Sequence, residues 1–155
     1  METLISVIGG NSAPGPILRE AEMLGKGLAE RGLVTVCGGL GGVMTAVCRG
    51  AKKAGGTTVG ILPGKDPGAA NRWIDIPVAT GIGYTRNAIV AGAGKVVIAL
   101  DGKYGTLTEI GFALNLKKPV IGIKTWQVEG LEAVENTQAA LSRLDSILSR
   151  SSGNK

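Results

Sequence analysis

Short β-branched runs alternate with amphipathic helical windows along this chain, and glycine-bearing turns mark where a strand hands over to a helix. The alternation is the pattern of parallel βαβ units: two parallel strands need a crossover long enough to bring the chain back, and a helix provides it. Strands are expected at Leu4–Ile8, Leu33–Cys37 and Thr58–Leu62, near Ile74–Val78, and at Lys95–Leu100 and Val120–Ile123. The spacing between them predicts helices at about Pro16–Arg31, Val43–Ala54, Thr85 to Gly92–Gly94 and Thr106–Leu116, with a C-terminal helix over roughly Leu131–Leu148. In the first helix Ile17, Ala21, Leu24 and Leu28 form the apolar stripe, Pro16 suits the first turn and Gly32 ends it. The expected fold class is α/β, a Rossmann-like three-layer domain with a mostly parallel sheet flanked by helices on both faces. A single domain covers residues 1–150, Ser151–Lys155 reads as a frayed tail, and 65–83 is less regular.

Composition narrows the partners. A length of 155 residues suits one continuous core, and 44% hydrophobic against 19% charged residues carries no signature of disorder. With aromatics at 3%, stacking platforms for single-stranded nucleic acid are nearly excluded. The net charge of +5 suits an anionic ligand, but no Lys/Arg run gathers it into a nucleic-acid or membrane patch. No signal peptide is read before Leu4 and no apolar stretch reaches bilayer length, so a cytoplasmic location is expected. The two cysteines, Cys37 and Cys48, do not make a disulfide framework, and Cys37 reads as a small buried hydrophobe. Histidine is absent. That removes the commonest general base, the Ser–His and Cys–His nucleophile pairs and most transition-metal sites, so no metal site is expected.

In a parallel sheet, ligands sit outside the carboxyl ends of the strands at the switch point of the topology. Three glycine-bearing turns are expected to meet there: Gly9-Gly10-Asn11-Ser12, Gly38-Gly39-Leu40-Gly41-Gly42 and Gly102-Lys103-Tyr104-Gly105. In the second turn the missing side chains would let backbone N–H groups approach an oxyanion at a helix N-terminus. It is neither a dinucleotide fingerprint, since Met44 stands where a glycine is needed, nor a Walker loop. The third turn adds a cation, Lys103, and a carboxylate, Glu109. Thr106-x-x-Glu109 also has the spacing of a capping box, so Glu109 could close a helix end, serve a ligand, or do both. Thr85 looks like an N-cap that sets Arg86 in a first helical turn, where a cation is disfavoured unless an anion joins it.

Gly38-Gly39-Leu40-Gly41-Gly42-Val43-Met44, Gly60-Ile61-Leu62-Pro63, Arg86-Asn87 and Gly105-Thr106-x-x-Glu109 together resemble the Lonely Guy (LOG)-like superfamily, whose members are often mislabelled as lysine decarboxylases. Within it the chain is most similar to the short branch that includes the molybdenum cofactor carrier proteins. The likeness runs from about Leu4 to Ile123. Enzymes of the superfamily hydrolyse the N-glycosidic bond of cytokinin or nucleoside 5′-monophosphates with a P-G-G-x-G-T-x-x-E motif and an upstream arginine. Gly102, Gly105, Thr106 and Glu109 match that motif and Arg86 stands at the arginine's place, whereas Asp101 replaces the proline and Lys103 the second glycine. The resemblance therefore implies a homodimeric or homotetrameric binding protein for a phosphorylated heterocycle, either the molybdenum cofactor or a nucleoside monophosphate. Gly39, Gly41, Gly42, Gly102, Lys103, Gly105 and Thr106 would hold phosphate, Gly10, Asn11 and Ser12 would also bind the cofactor, Arg86 and Asn87 would orient it, and Glu109 would meet its polar edge. In the alternative, a phosphoribohydrolase, Glu109 and Arg86 would be catalytic.

Overall fold

The computed structural model of the protein describes residues 1–153. Seven strands, β1 (Leu4–Gly9), β2 (Val34–Cys37), β3 (Thr58–Leu62), β4 (Ile76–Ala79), β5 (Val96–Leu100), β6 (Val120–Ile123) and β7 (Leu131–Val134), form one sheet in the order β4-β3-β2-β1-β5-β6-β7. Every pairing is parallel. Five helices cover it: α1 (Gly15–Glu30), α2 (Val43–Lys53), α3 (Arg86–Ala93), α4 (Tyr104–Asn115) and α5 (Thr137–Ser152).

Helices α1, α2 and α5 bury Leu24, Leu28, Val47 and Leu144 with Ile5, Val7 and Ile98 on one face of the sheet. On the other, α3 and α4 bury Val90, Ala91, Ile110 and Ala113 with Ile8, Val97 and Ala99. The central strands are apolar on both faces because both faces are covered. Edge strands β4 and β7 are half exposed, as strands paired on one side only must be. Helices α1 and α2 meet backbone to backbone: a methyl on Gly25 would lie 1.9 Å from the Val47 carbonyl oxygen, and one on Gly50 1.9 Å from that of Glu22. No side chain fits at that crossing, so both positions require glycine. Cys37 and Cys48 are free, fully buried thiols with their sulfurs 3.5 Å apart across β2 and α2. Among the described residues no helix is long and apolar enough to cross a membrane.

Three local expectations are corrected. The C-terminal helix starts at Thr137 and not at Leu131: Leu131–Val134 pairs with Val120–Ile123 as β7, and the Asn136 side chain caps α5 by accepting from the Ala139 N–H at 3.0 Å. Its far end runs through Ser152, so Ser151 and Ser152 are helical, while Asn154 and Lys155 of the expected tail lie outside the described residues. Thr85 makes no side-chain cap; it closes a 3-10 turn, Gly83–Thr85, that runs directly into α3.

Candidate functional site

After β4 the chain returns to the far side of β1 to form β5, which makes the β1–β5 boundary the switch point of the sheet. A cavity of about 310 Å³ opens there, at the carboxyl ends of the strands. Gly10, Asn11 and Ser12 wall it after β1, Gly38 and Leu40 between β2 and α2, and Met44 from the first turn of α2. Tyr84 comes from the 3-10 turn before α3, Arg86 and Asn87 from the start of α3, Lys103 from the cap position of α4, and Gly105, Thr106 and Glu109 from its first turns.

The two helix starts on this cavity differ. At α2 part of the donor set is already engaged: the Gly41 N–H donates to Asn11 Oδ1 at 2.9 Å and the Val43 N–H to the Gly10 carbonyl at 3.0 Å. A methyl on Gly42 (φ +59°) would lie 2.3 Å from that same carbonyl, so Gly41 and Gly42 serve the packing of one loop on another. Gly39 packs on Gly60 and Leu62 and donates to Cys37 Sγ at 3.3 Å. These three glycines, expected to hold phosphate, are not part of the cavity wall. At α4 the first three helical donors are open. The N–H groups of Tyr104, Gly105 and Thr106 have no backbone partner among the described residues, and no side chain caps the helix. Gly102 (φ +93°) lies beneath Thr106, whose hydroxyl oxygen would be 2.1 Å from a methyl there, and supports the turn from behind the wall. Open donors at a helix start carry partial positive charge toward whatever occupies the cavity.

The capping box is corrected by the same turn. Helix α4 begins at Tyr104, with Lys103 at the cap position, so Thr106 is already the third helical residue. Glu109 therefore faces inward one turn further along, 7% exposed, with no hydrogen bond or ion pair among the described residues. Burial pushes its carboxyl up to about 8, and the Arg86 guanidinium pulls against that rise. Arg86 is itself 5% exposed. One terminal nitrogen donates to Asn87 Oδ1, the other lies 3.4 Å from the Gly38 carbonyl, and the buried Nε has no partner. Gly38 makes room for it, since a methyl there would lie 2.7 Å from Arg86 Nη2. Asn87 Nδ2 donates to Thr108 Oγ1 at 3.2 Å, tying α3 to α4.

The fold thus gathers Gly10, Asn11, Ser12, Arg86, Asn87, Lys103, Gly105, Thr106 and Glu109 around one cavity and leaves Gly39, Gly41, Gly42 and Gly102 behind it. Reading the chain alone missed Met44, Leu40 and Tyr84. Tyr84 had a signal, its place directly before Thr85-Arg86-Asn87; Leu40 and Met44 lie inside the 38–44 motif, but only the tertiary fold turns their side chains toward the cavity.

Residues 2–149 match the sequence profile of the SLOG cluster4 family. The chain belongs to that family. This agrees with the LOG-like resemblance carried by its motifs. The structure is similar to the molybdenum cofactor binding protein of Rippkaea orientalis, at 32% identity and a TM-score of 0.88 over 96% of this chain and 98% of that one. It is similar to the Moco carrier protein of Chlamydomonas reinhardtii, at 32% identity and a TM-score of 0.89 over 97% and 99%. An uncharacterized protein of Archaeoglobus fulgidus is 40% identical over 138 residues, 88% of this chain and 91% of its own length. DNA processing protein A of Helicobacter pylori, at 18% identity and a TM-score of 0.73 over 93% of this chain and 80% of that one, shares the fold alone.

Proposed function

We propose that this SLOG cluster4 protein binds and carries a phosphorylated heterocyclic cofactor of the molybdopterin type. One observation carries the reading: Arg86 is a buried cation whose Nε has no partner, on the wall of the cavity that also receives the open donors of α4. A buried guanidinium left incompletely paired is costly, and an anionic ligand would complete it. Phosphate at the N–H groups of Tyr104, Gly105 and Thr106 would gain the dipole of α4 and the Lys103 charge, with Arg86 and Asn87 orienting the remainder. Gly10, Asn11 and Ser12 would close the opposite wall. The molybdenum cofactor fits this donor set, since its phosphate and its polar ring edge demand groups of opposite kind at two ends of one cavity. The solved relatives described as molybdenum cofactor binding and carrier proteins support the same choice.

Mass spectrometry of small molecules released from natively purified protein tests this reading, with a phosphorylated pterin or nucleotide expected. Phosphate, nucleoside monophosphates and a phosphorylated pterin should also raise the melting midpoint. A ligand at 100 times its Kd adds about 2.7 kcal/mol. A midpoint that moves no further than with chloride at equal ionic strength would refute the proposal.

A second reading, a nucleoside 5′-monophosphate N-glycosidase, is favoured by one observation: Glu109 and Arg86 share the cavity, and a carboxyl held near 8 suits a general acid. Lys103 and Asp101 in place of the motif's glycine and proline weigh against it. No release of base from AMP over hours is expected; steady turnover lost in Glu109→Gln would favour the hydrolase.

The outer surfaces of α3 and α4 bear Ile89, Phe112 and Leu116, each more than 40% exposed, and the charged residues of these two helices, Arg86 and Glu109, are both buried. An uncharged apolar face of this kind suits a second copy related by a two-fold axis. Light scattering should therefore return a dimer or tetramer; a monomer near 15.7 kDa at micromolar concentration would refute it.

A further inference from the structure

We infer that Thr125 and Trp126, in the turn that follows β6, are positioning residues for the anion: they hold the turn Asp101–Lys103 so that the first N–H groups of α4 stay directed into the cavity. The inference rests on the cofactor-binding reading and adds to it two residues that lie off the cavity wall. Three hydrogen bonds join the two turns. The Asp101 N–H donates to the Ile123 carbonyl at 3.2 Å, the Thr125 hydroxyl to the Asp101 carbonyl at 2.6 Å, and Trp126 Nε1 to the Lys103 carbonyl at 3.0 Å. The Trp126 ring also packs on Tyr104, the first residue of α4, with ring centroids 5.9 Å apart. The backbone here needs such holding. Asp101 stands at φ +49° and Gly102 at φ +93°, and Lys124, directly before Thr125, at φ +45°. Side-chain-bearing L residues rarely adopt these angles and keep them only where surrounding contacts fix them. A proline, locked at about φ −65°, could not stand at 101 in this turn.

Each side-chain bond orients one peptide unit. The peptide bonds of the described residues are trans, so a carbonyl and the N–H that follows it point in opposite directions. Trp126 Nε1 and the Leu107 N–H both donate to the Lys103 carbonyl, each at 3.0 Å. The Tyr104 N–H of the same peptide unit is thereby turned the other way, toward the open start of the helix. Two donors on one carbonyl also polarise the unit, which makes its N–H a stronger donor. Thr125 acts in the same way on the unit that joins Asp101 to Gly102, and so sets the path into Lys103, whose side chain reaches the cavity. Arg86 marks where the anion belongs: it is 5% exposed, and its Nε has no partner on the wall of that cavity. Donors fixed before the ligand arrives spare it the cost of ordering the turn, and affinity rises accordingly.

Isothermal titration of the full chain with inorganic phosphate tests this. Trp126→Phe keeps an aromatic ring and removes the donor; Thr125→Val keeps the shape and removes the hydroxyl. Each should weaken phosphate binding about three- to tenfold. Thr125→Ser, which keeps a hydroxyl, should bind phosphate as the wild type does. Asn136→Ala is the control for stability: it removes the side-chain cap of α5, away from the cavity, and should lower the melting midpoint without changing phosphate affinity. The inference is overturned, and the cofactor-binding reading stands, if either Trp126→Phe or Thr125→Val binds within about twofold of wild type. The same holds if Thr125→Ser binds no better than Thr125→Val, or if Asn136→Ala weakens binding as much as they do. A wild type that binds no phosphate removes the cofactor-binding reading and the inference with it.

Discussion

Glu109→Gln stabilises the protein, and the gain grows from about pH 4.5 to about pH 8. In the folded chain burial holds the carboxyl near 8, against an ordinary value of 4.5. Below 4.5 both states keep the proton and the side chain has no linkage cost. Between these values the unfolded state ionises while the folded state cannot, so stability falls by about 1.4 kcal/mol per pH unit. Above about 8 the folded state ionises too and the loss levels off, at roughly 3–5 kcal/mol for a shift of this size. Glutamine keeps the shape without the titration, so the loss disappears. Glu22, Asp75, Glu132 and Asp145 titrate in the opposite sense, because Arg49, Lys52, Arg143 and Arg31 hold their carboxyls low. Their contribution is common to both proteins and cancels in the difference. Urea unfolding of wild type and variant at a series of pH values measures it. Parallel stability profiles would mean that Glu109 ionises in the folded protein as it does in water.

Arg86→Met separates stability from binding. Methionine replaces the methylene stem of the arginine and removes a buried charge that has one unpartnered nitrogen and one contact as long as 3.4 Å. An apolar side chain of similar volume at an incompletely paired ionic site is often neutral or stabilising, so the ligand-free variant should be at least as stable as wild type, by about 1 kcal/mol or more. Binding of a phosphorylated ligand should fall by about 100-fold or more, because the charge-assisted bonds to the anion are lost. Thermal melts with and without ligand read both effects. A variant that unfolds at low temperature would assign Arg86 to structure, and one that binds normally would remove it from the site.

The architecture was legible because its signals are local. The stripe Ile17, Ala21, Leu24 and Leu28 has helical period whatever lies opposite, and Val-Val-Ile-Ala-Leu at 96–100 suits a strand buried on both faces. The parallel order follows from alternation, so the convergence of three turns at one end of the sheet could be expected from the chain alone. The errors fell where two local readings compete. Leu131–Val134 could extend a helix or pair as an edge strand, and only the free edge of β6 beside it decided. Thr106-x-x-Glu109 has the spacing of a capping box, yet the helix starts two residues before Thr106 and turns Glu109 into the cavity. The glycines of 38–42 suit an anion as well as they suit tight packing. Whether their N–H groups remain open depends on Gly10 and Asn11, some thirty residues earlier in the chain. Residue types and their spacing therefore determined the elements, the class of fold and the end of the sheet where the site lies. Tertiary structure alone decided which donors stay open and which charges lie buried without partners, because hydrogen bonding and desolvation depend on neighbours that are distant in sequence.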